Sequence, residues 1–389
     1  MPIAVFGYGF RPFFLAVGLA AVLLVPWWAG SYVFGLPLAS AWPPTLWHGH
    51  EMLFGFIGAA IAGFLLTAVP SWTGQRGYAG WPLAALAALW LLGRLLIASS
   101  ALWPAPLVAA VDLAFLPALT ALVFPPLIRA RNRNSPLLLV LASLWAANAG
   151  FYWHMSHGDA PAAGHMLLLT VDIILLLVTV IGGRIVPAFT NSGLKQHGVA
   201  GTVQVWRVMT PLAIGVMIAV LLIDWFLPET TAAGAIAAAA AVIQAVRLSQ
   251  WRTLRTLRLP IVWVLHLAYA WLPVGFALKA LALLTGVAFS AFWLHALTIG
   301  AVATMILAVM TRASLGHTGR PLRIDPLISL AYLLLTAAAL MRVFGLAWFG
   351  LAYPIIIFLA ALLWTAAFAL FLWEYAPILV RARVDGKPG

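Results

Sequence analysis

Residues 47–69 read WHGHEMLFGFIGAAIAGFLLTAV: two imidazoles and a carboxylate stand directly in front of an unbroken apolar run. A hydrocarbon core of about 30 Å takes roughly 20 residues of helix to cross, and this run has that length and character. Runs of the same kind recur to the end of the chain. Hydrophobic residues make up 65% of the 389 and charged residues 8%, whereas a water-soluble domain carries roughly a quarter charged residues. The chain is built for lipid, and its expected fold is that of an all-α polytopic membrane protein.

The apolar runs predict twelve spans, approximately at 13–34, 49–70, 82–101, 105–127, 136–155, 164–188, 206–226, 231–248, 260–283, 287–311, 326–346 and 349–375. No small-residue cleavage site follows the first, which reads as a retained span rather than a signal peptide. Basic residues then set the orientation. Arg11 precedes span one, Arg76 follows span two, and Arg129, Arg131 and Arg133 follow span four. Lys195 follows span six; Arg247, Arg252, Arg255 and Arg258 follow span eight; Arg312, Arg320 and Arg323 follow span ten. Arg381, Arg383 and Lys387 lie at the C-terminus, and the alternate loops hold no Lys or Arg. By the positive-inside rule both termini are cytoplasmic. This placement explains the net charge of +12 without nucleic acid as a partner; the expected partner is the bilayer. There are no cysteines, which excludes disulfides, thiolate metal sites and covalent haem attachment through CxxCH.

Ionisable groups inside a bilayer cost several kcal/mol, on the order of 3 by insertion scales, so each marks a candidate site. Arg94, Lys279 and Arg342 fall in the outer half, Arg184 lies towards the cytoplasmic side, and Asp112 and Asp172 sit about two turns below the outer surface at 1.5 Å per residue. The histidines sort the same way. His48 and His50 open span two, His154 and His157 close span five, His165 opens span six, and His295 lies two turns into span ten. Imidazoles from several helices at one depth point to bound metal, since histidine is the commonest protein ligand of haem iron and copper. The plainer reading of any one of them is an interfacial, hydrogen-bonded side chain.

Helical geometry narrows the roles. His48 and His50 are two apart and point roughly 200° from one another, so they do not face one ion from a regular helix. His48 and Glu51 share a face, the spacing by which a carboxylate orients a ligating imidazole. His154 and His157, three apart, have the spacing to chelate one ion together. Spans two, six and ten also resemble one another. Each carries a histidine near its outer end (His50, His165, His295) and finishes in a Thr/Ser-Gly turn: VPSWTG at 69–74, VPAFTNSG at 186–193 and SLGHTG at 314–319. The repeat divides a single transmembrane domain, 1–389, into weak units at about 1–135, 136–258 and 259–389.

FRPFFL (10–15), WHGHEMLFGF (47–56), IGGRIVPAFTNSGL (181–194) and HALTIGAVATMILAVMTRASLGHTGRP (295–321) together resemble the NnrS family over nearly the whole chain. That resemblance implies a haem- and copper-containing bacterial inner-membrane protein tied to denitrification, nitric oxide and tolerance of nitrosative stress. It implies no defined reaction. Twelve spans in three four-helix units also resemble subunit I of the haem–copper oxidases. Against it, the chain has no His-Pro-Glu-Val-Tyr stretch, no His-His pair on span seven, and one histidine on span ten where the oxidases carry two. The architecture carries over and the oxygen chemistry does not.

The expectation that follows is a b-type haem held between spans two and ten by His50 and His295, with Arg94, Lys279 and Arg342 as cations for its propionates. Copper falls to His154, His157 and His165, with His48 in reserve. Glu51, Asp112 and Asp172 are the carboxylates expected to support these ligands. An open iron position would bind nitric oxide; two histidine ligands would favour electron transfer from a membrane or periplasmic donor. Two rival classes stand beside this reading: a twelve-helix secondary transporter coupling protons through His and Asp, and a non-catalytic assembly subunit.

Overall fold

A computed structural model describes residues 4–199 and 202–386; Lys387, expected among the C-terminal basic residues, lies outside them. Among the described residues, twelve helices are long and apolar enough to cross a membrane. They are α1 (Phe10–Phe34), α2 (Pro44–Thr73), α3 (Trp81–Ala98), α4 (Ala105–Arg129), α5 (Leu137–Ser156) and α6 (Ala160–Gln196). After these come α7 (Met209–Phe226), α8 (Thr231–Ser249), α9 (Pro260–Thr285), α10 (Ala288–His317), α11 (Pro326–Phe349) and α12 (Tyr353–Val380). There are no strands among the described residues. Helices are the expected answer in lipid, because each satisfies its own backbone N–H and C=O groups where water is absent.

The helix ends follow local chemistry. Thr230 accepts the Ala233 N–H at 3.2 Å to open α8, and Asp325 accepts the Leu327 N–H at 2.9 Å to open α11. Gly35, Gly74, Gly286 and Gly350 close α1, α2, α9 and α11 in the left-handed conformation, with φ between 59° and 69°. One end differs from expectation. The turn VPAFTNSG was to finish span six near residue 188, yet α6 continues to Gln196. The Thr190 hydroxyl donates to the Val186 carbonyl at 2.8 Å and Gly193 lies tight against Val262, so both turn-forming residues are absorbed into the helix.

The chain forms two compact units. The first runs to Thr170 and takes in Ala313–Leu322 and the chain from Phe368 onward; the second is Val171–Arg312 with Arg323–Ala367. In the first unit α1 packs along α2, α3 along α4, and α4 along α5. In the second α8 packs along both α7 and α9, and α9 and α11 both pack on α10. α2 is the most enclosed helix, with 83% of its apolar window buried against 33% for α4, α5, α7 and α8. Polar groups on α2 are therefore shut away from lipid, while the outer faces of the other four present Leu, Val and Trp to it.

Candidate functional site

α2 is not a uniform helix. It is α-helical over Pro44–His50, π-helical over Glu51–Ile57 and α-helical again over Gly58–Thr73. A π turn spaces its hydrogen bonds one residue wider, re-aims side chains and loosens carbonyls. Here the Trp90 indole N–H donates to the Gly55 carbonyl at 3.1 Å. A Cβ at Gly55 would stand 3.1 Å from Nη1 of Arg94, so the missing side chain lets that guanidinium lie along α2.

Around this turn the first unit assembles a buried network from four helices. Arg94 of α3 donates from Nη1 to Oε1 of Glu51 at 2.5 Å and from Nη2 to Oδ1 of Asp112 on α4. Asn148 of α5 donates from Nδ2 to Oδ2 of Asp112 at 2.8 Å, which turns its Oδ1 towards Nε2 of His50 at 3.0 Å. His50 Nε2 also stands 3.4 Å from Asp112 Oδ2, and its Nδ1 stands 3.4 Å from Glu51 Oε1. An amide oxygen held in that direction takes a proton from Nε2, so this nitrogen is an N–H. His50 and Glu51 are fully buried, and the rings of Trp42, Phe54, Phe151 and Tyr152 surround the imidazole. A cavity of about 10 Å³, bounded by Asp112 and Asn148 among apolar side chains, has room for about one water.

Glu51 was expected to orient His48. It instead holds Arg94 and touches His50, because a buried carboxylate gains more from a guanidinium than from a neutral ring. His48 stacks on Trp28 of α1, ring centroids 4.0 Å apart. His154 Nδ1 lies 3.5 Å from Asp159, while His157 donates from Nδ1 to the carbonyl of Trp153 at 2.8 Å; the two do not share a partner in these contacts. His165 is half-buried with no hydrogen bond among the described residues. Among the described residues no three His, Asp or Glu side chains are grouped to hold a metal ion.

His295 belongs to the second unit and repeats the local design of α2. It is followed at once by a π-helical segment, Ala296–Ala303, in which the Thr304 hydroxyl donates to the Ile299 carbonyl at 3.2 Å. Gly300 in that segment lies flat on the Trp271 ring. Lys279 of α9 is paired with Asp224 of α7 and stands 4.7 Å above the Trp293 ring, and Asp172 of α6 is buried in the same unit. Arg342 donates to the Tyr353 hydroxyl at 2.6 Å.

Two further clusters escaped the sequence reading. Arg247, read as a cytoplasmic loop charge, is 1% exposed and donates to the Thr179 carbonyl and the Tyr269 hydroxyl at 2.9 and 3.0 Å. Tyr269 in turn donates to Gln244 at 2.6 Å. Gly182 and Gly183 of the IGGR stretch are the surfaces on which Tyr269 and Arg247 lie, so the paired glycines in an apolar run were the available signal. His266 bridges Thr190 and Thr253 at 2.8 and 3.0 Å, a satisfied core histidine.

Twelve apolar helices whose charged side chains are gathered into buried helix-to-helix networks define a polytopic membrane protein. The family model described as NnrS protein matches residues 4–383, and the chain belongs to the NnrS family. No curated protein matches it.

Proposed function

We propose that this chain is a haem- and copper-binding inner-membrane protein of the nitric oxide response, with both termini in the cytoplasm and its histidine-rich ends towards the periplasm. Membership of the family supports the nitric oxide setting. The observation that carries the ligand assignment is local: among the described residues, π-helical turns occur at two places, immediately after His50 and immediately after His295. Such turns recur at functional sites because they re-aim side chains and free backbone groups. We assign these two histidines to haem, each on its own helix.

The residues meet the requirements of a haem unequally. At His50 the Nδ1 contact with Glu51 is of the kind that orients a ligating imidazole. Its Nε2 faces the amide oxygen of Asn148 at 3.0 Å and stands 3.4 Å from Asp112, so ligating iron there would require this nitrogen to give up its proton and would leave a buried amide oxygen unpaired, at a cost of about 1–3 kcal/mol. The propionate cations fit less well. Arg94 is held by Glu51 and Asp112, and Lys279 by Asp224, so each would have to leave a carboxylate to meet another. Copper at His154, His157 and His165 requires these rings to give up Asp159 and the Trp153 carbonyl. Haem iron, when bound, supplies a centre that takes nitric oxide or passes an electron.

Full-length protein purified from membranes should show a haem Soret band, α-bands in the reduced-minus-oxidised spectrum, and stoichiometric iron and copper by metal analysis. His50→Ala and His295→Ala should each lower haem content, and His154→Ala with His157→Ala should lower copper. A colourless, copper-free protein removes the proposal; unchanged haem in both His50→Ala and His295→Ala removes the ligand assignment alone.

A further inference from the structure

The second unit encloses a positive charge that its neighbours do not balance. Arg247 stands in the last turn of α8 and is almost wholly buried. Every hydrogen-bond partner it has among the described residues is neutral: the Thr179 carbonyl, the Tyr269 hydroxyl and, at 3.5 Å, the Thr210 hydroxyl. Tyr269 gives its own proton to Gln244, an amide. The following stretch, QWRTLRTLRLP at 250–260, adds three arginines and no acid. The carbonyl end of α8 offsets roughly half a charge at most. A second observation points to a ligand. Nε of Arg247 and Nε1 of the fully buried Trp251 are N–H donors shut away without an acceptor among the described residues, and so is Nε2 of Gln250. The three residues follow at i, i+3 and i+4, the spacing that sets side chains on one face of a helical turn. The guanidinium carbon lies 5.7 Å from the centre of the Trp251 ring, which itself stands 4.4 Å from that of Tyr269. Gln250 accepts the Trp206 N–H through Oε1 at 2.8 Å, so its amide nitrogen is the end left over.

Buried N–H groups are nearly always satisfied, and a buried ion without its opposite costs more than an orphaned donor. Water would satisfy the N–H groups and leave the charge. A divalent anion would exchange one excess charge for another of opposite sign. A single negative charge that accepts these N–H groups answers both needs, because charge-assisted hydrogen bonds are the strong ones. We propose that Arg247 and Trp251, with Gln250, hold a small monovalent inorganic anion of the chloride type in the second unit. Arg255 and Arg258, exposed just beyond α8, raise the concentration of anions at that end of the helix. None of the histidines assigned to metal belongs to this site, so the two assignments stand or fall separately.

The thermal midpoint of the full-length protein, as purified in a non-ionic detergent, tests this. Sodium gluconate, whose anion is too bulky for such a site, is replaced stepwise by sodium chloride at constant ionic strength. The wild-type midpoint should climb with chloride and level off as the site fills. Arg247→Met should show no such climb, which also separates site binding from general salt effects. Trp251→Phe keeps the ring against Tyr269 and removes one donor, so half-saturation should need about tenfold more chloride. A wild-type midpoint indifferent to chloride overturns the proposal, as does an Arg247→Met protein that responds like the wild type. Should Arg247→Met fail to fold, an unchanged half-saturation in Trp251→Phe overturns it instead. A midpoint raised by added phosphatidylglycerol and unmoved by chloride would give the charge to a lipid headgroup and sink the inorganic ion.

Discussion

Arg94 places one guanidinium between the carboxylates of Glu51 and Asp112, all three nearly or fully out of contact with solvent. Removing it leaves two buried negative charges facing one another, and breaking a buried pair from one side costs about 3–5 kcal/mol. Arg94→Met should therefore lower the unfolding midpoint sharply, measured by thermal or denaturant titration of purified protein. Adding Glu51→Gln and Asp112→Asn should recover most of the loss, because the uncompensated charges then disappear. Asn148→Leu strips a partner from both His50 and Asp112 and should cost about 1–3 kcal/mol in the same assay. His50, Glu51, Arg94 and Asp112 were legible as residues, since an ionisable group in an apolar run announces itself. The partner that His50 and Asp112 share was not, since Asn148 is uncharged.

The π turns of α2 and α10 explain glycines whose role the helical pattern left open. In α10 a Cβ at Gly300 would fall 2.4 Å from the Trp271 ring, and in α6 a Cβ at Gly183 would fall 2.0 Å from the Arg247 guanidinium. Gly300→Ala should destabilise the protein by about 1–3 kcal/mol, because a rigid indole has to shift. Substituting Trp271 by Leu in the same chain should relieve part of it. Gly183→Ala should displace Arg247 from the Thr179 carbonyl, with a loss of similar size. The apolar runs located α2 to within about five residues and α10 to within about six at either end but carried no sign of the π turns. A π turn depends on which carbonyls find donors beyond the regular backbone ladder, here the Trp90 indole from α3 and the Thr304 hydroxyl five residues further along α10 itself. The same reason applies to VPAFTNSG, where Gly193 forms no turn because Val262 packs against it.

The alternation of Lys- and Arg-bearing loops with bare ones extends over all twelve spans, and it makes a topological prediction. A fluorescent protein fused after the last helix should be bright, and alkaline phosphatase fused in the loop at 156–160 should be active; the reverse pattern would invert the orientation. The fourfold spacing of similar helices and the two compact units cut the chain along different lines, because similarity in sequence reports on single helices and compactness reports on which helices touch.

Composition and the period of the apolar runs were enough to determine a twelve-helix membrane protein, since lipid leaves the backbone one economical way to satisfy its polar groups. The short quoted motifs were enough to determine the family. Which charged side chains pair was decided only by tertiary structure: Glu51 with Arg94 rather than His48, Lys279 with Asp224, and Arg247 buried rather than in a loop. The reason is physical. A charge inside a membrane takes whatever partner the neighbouring helices bring within about 3 Å, and that choice depends on how helices rotate and approach.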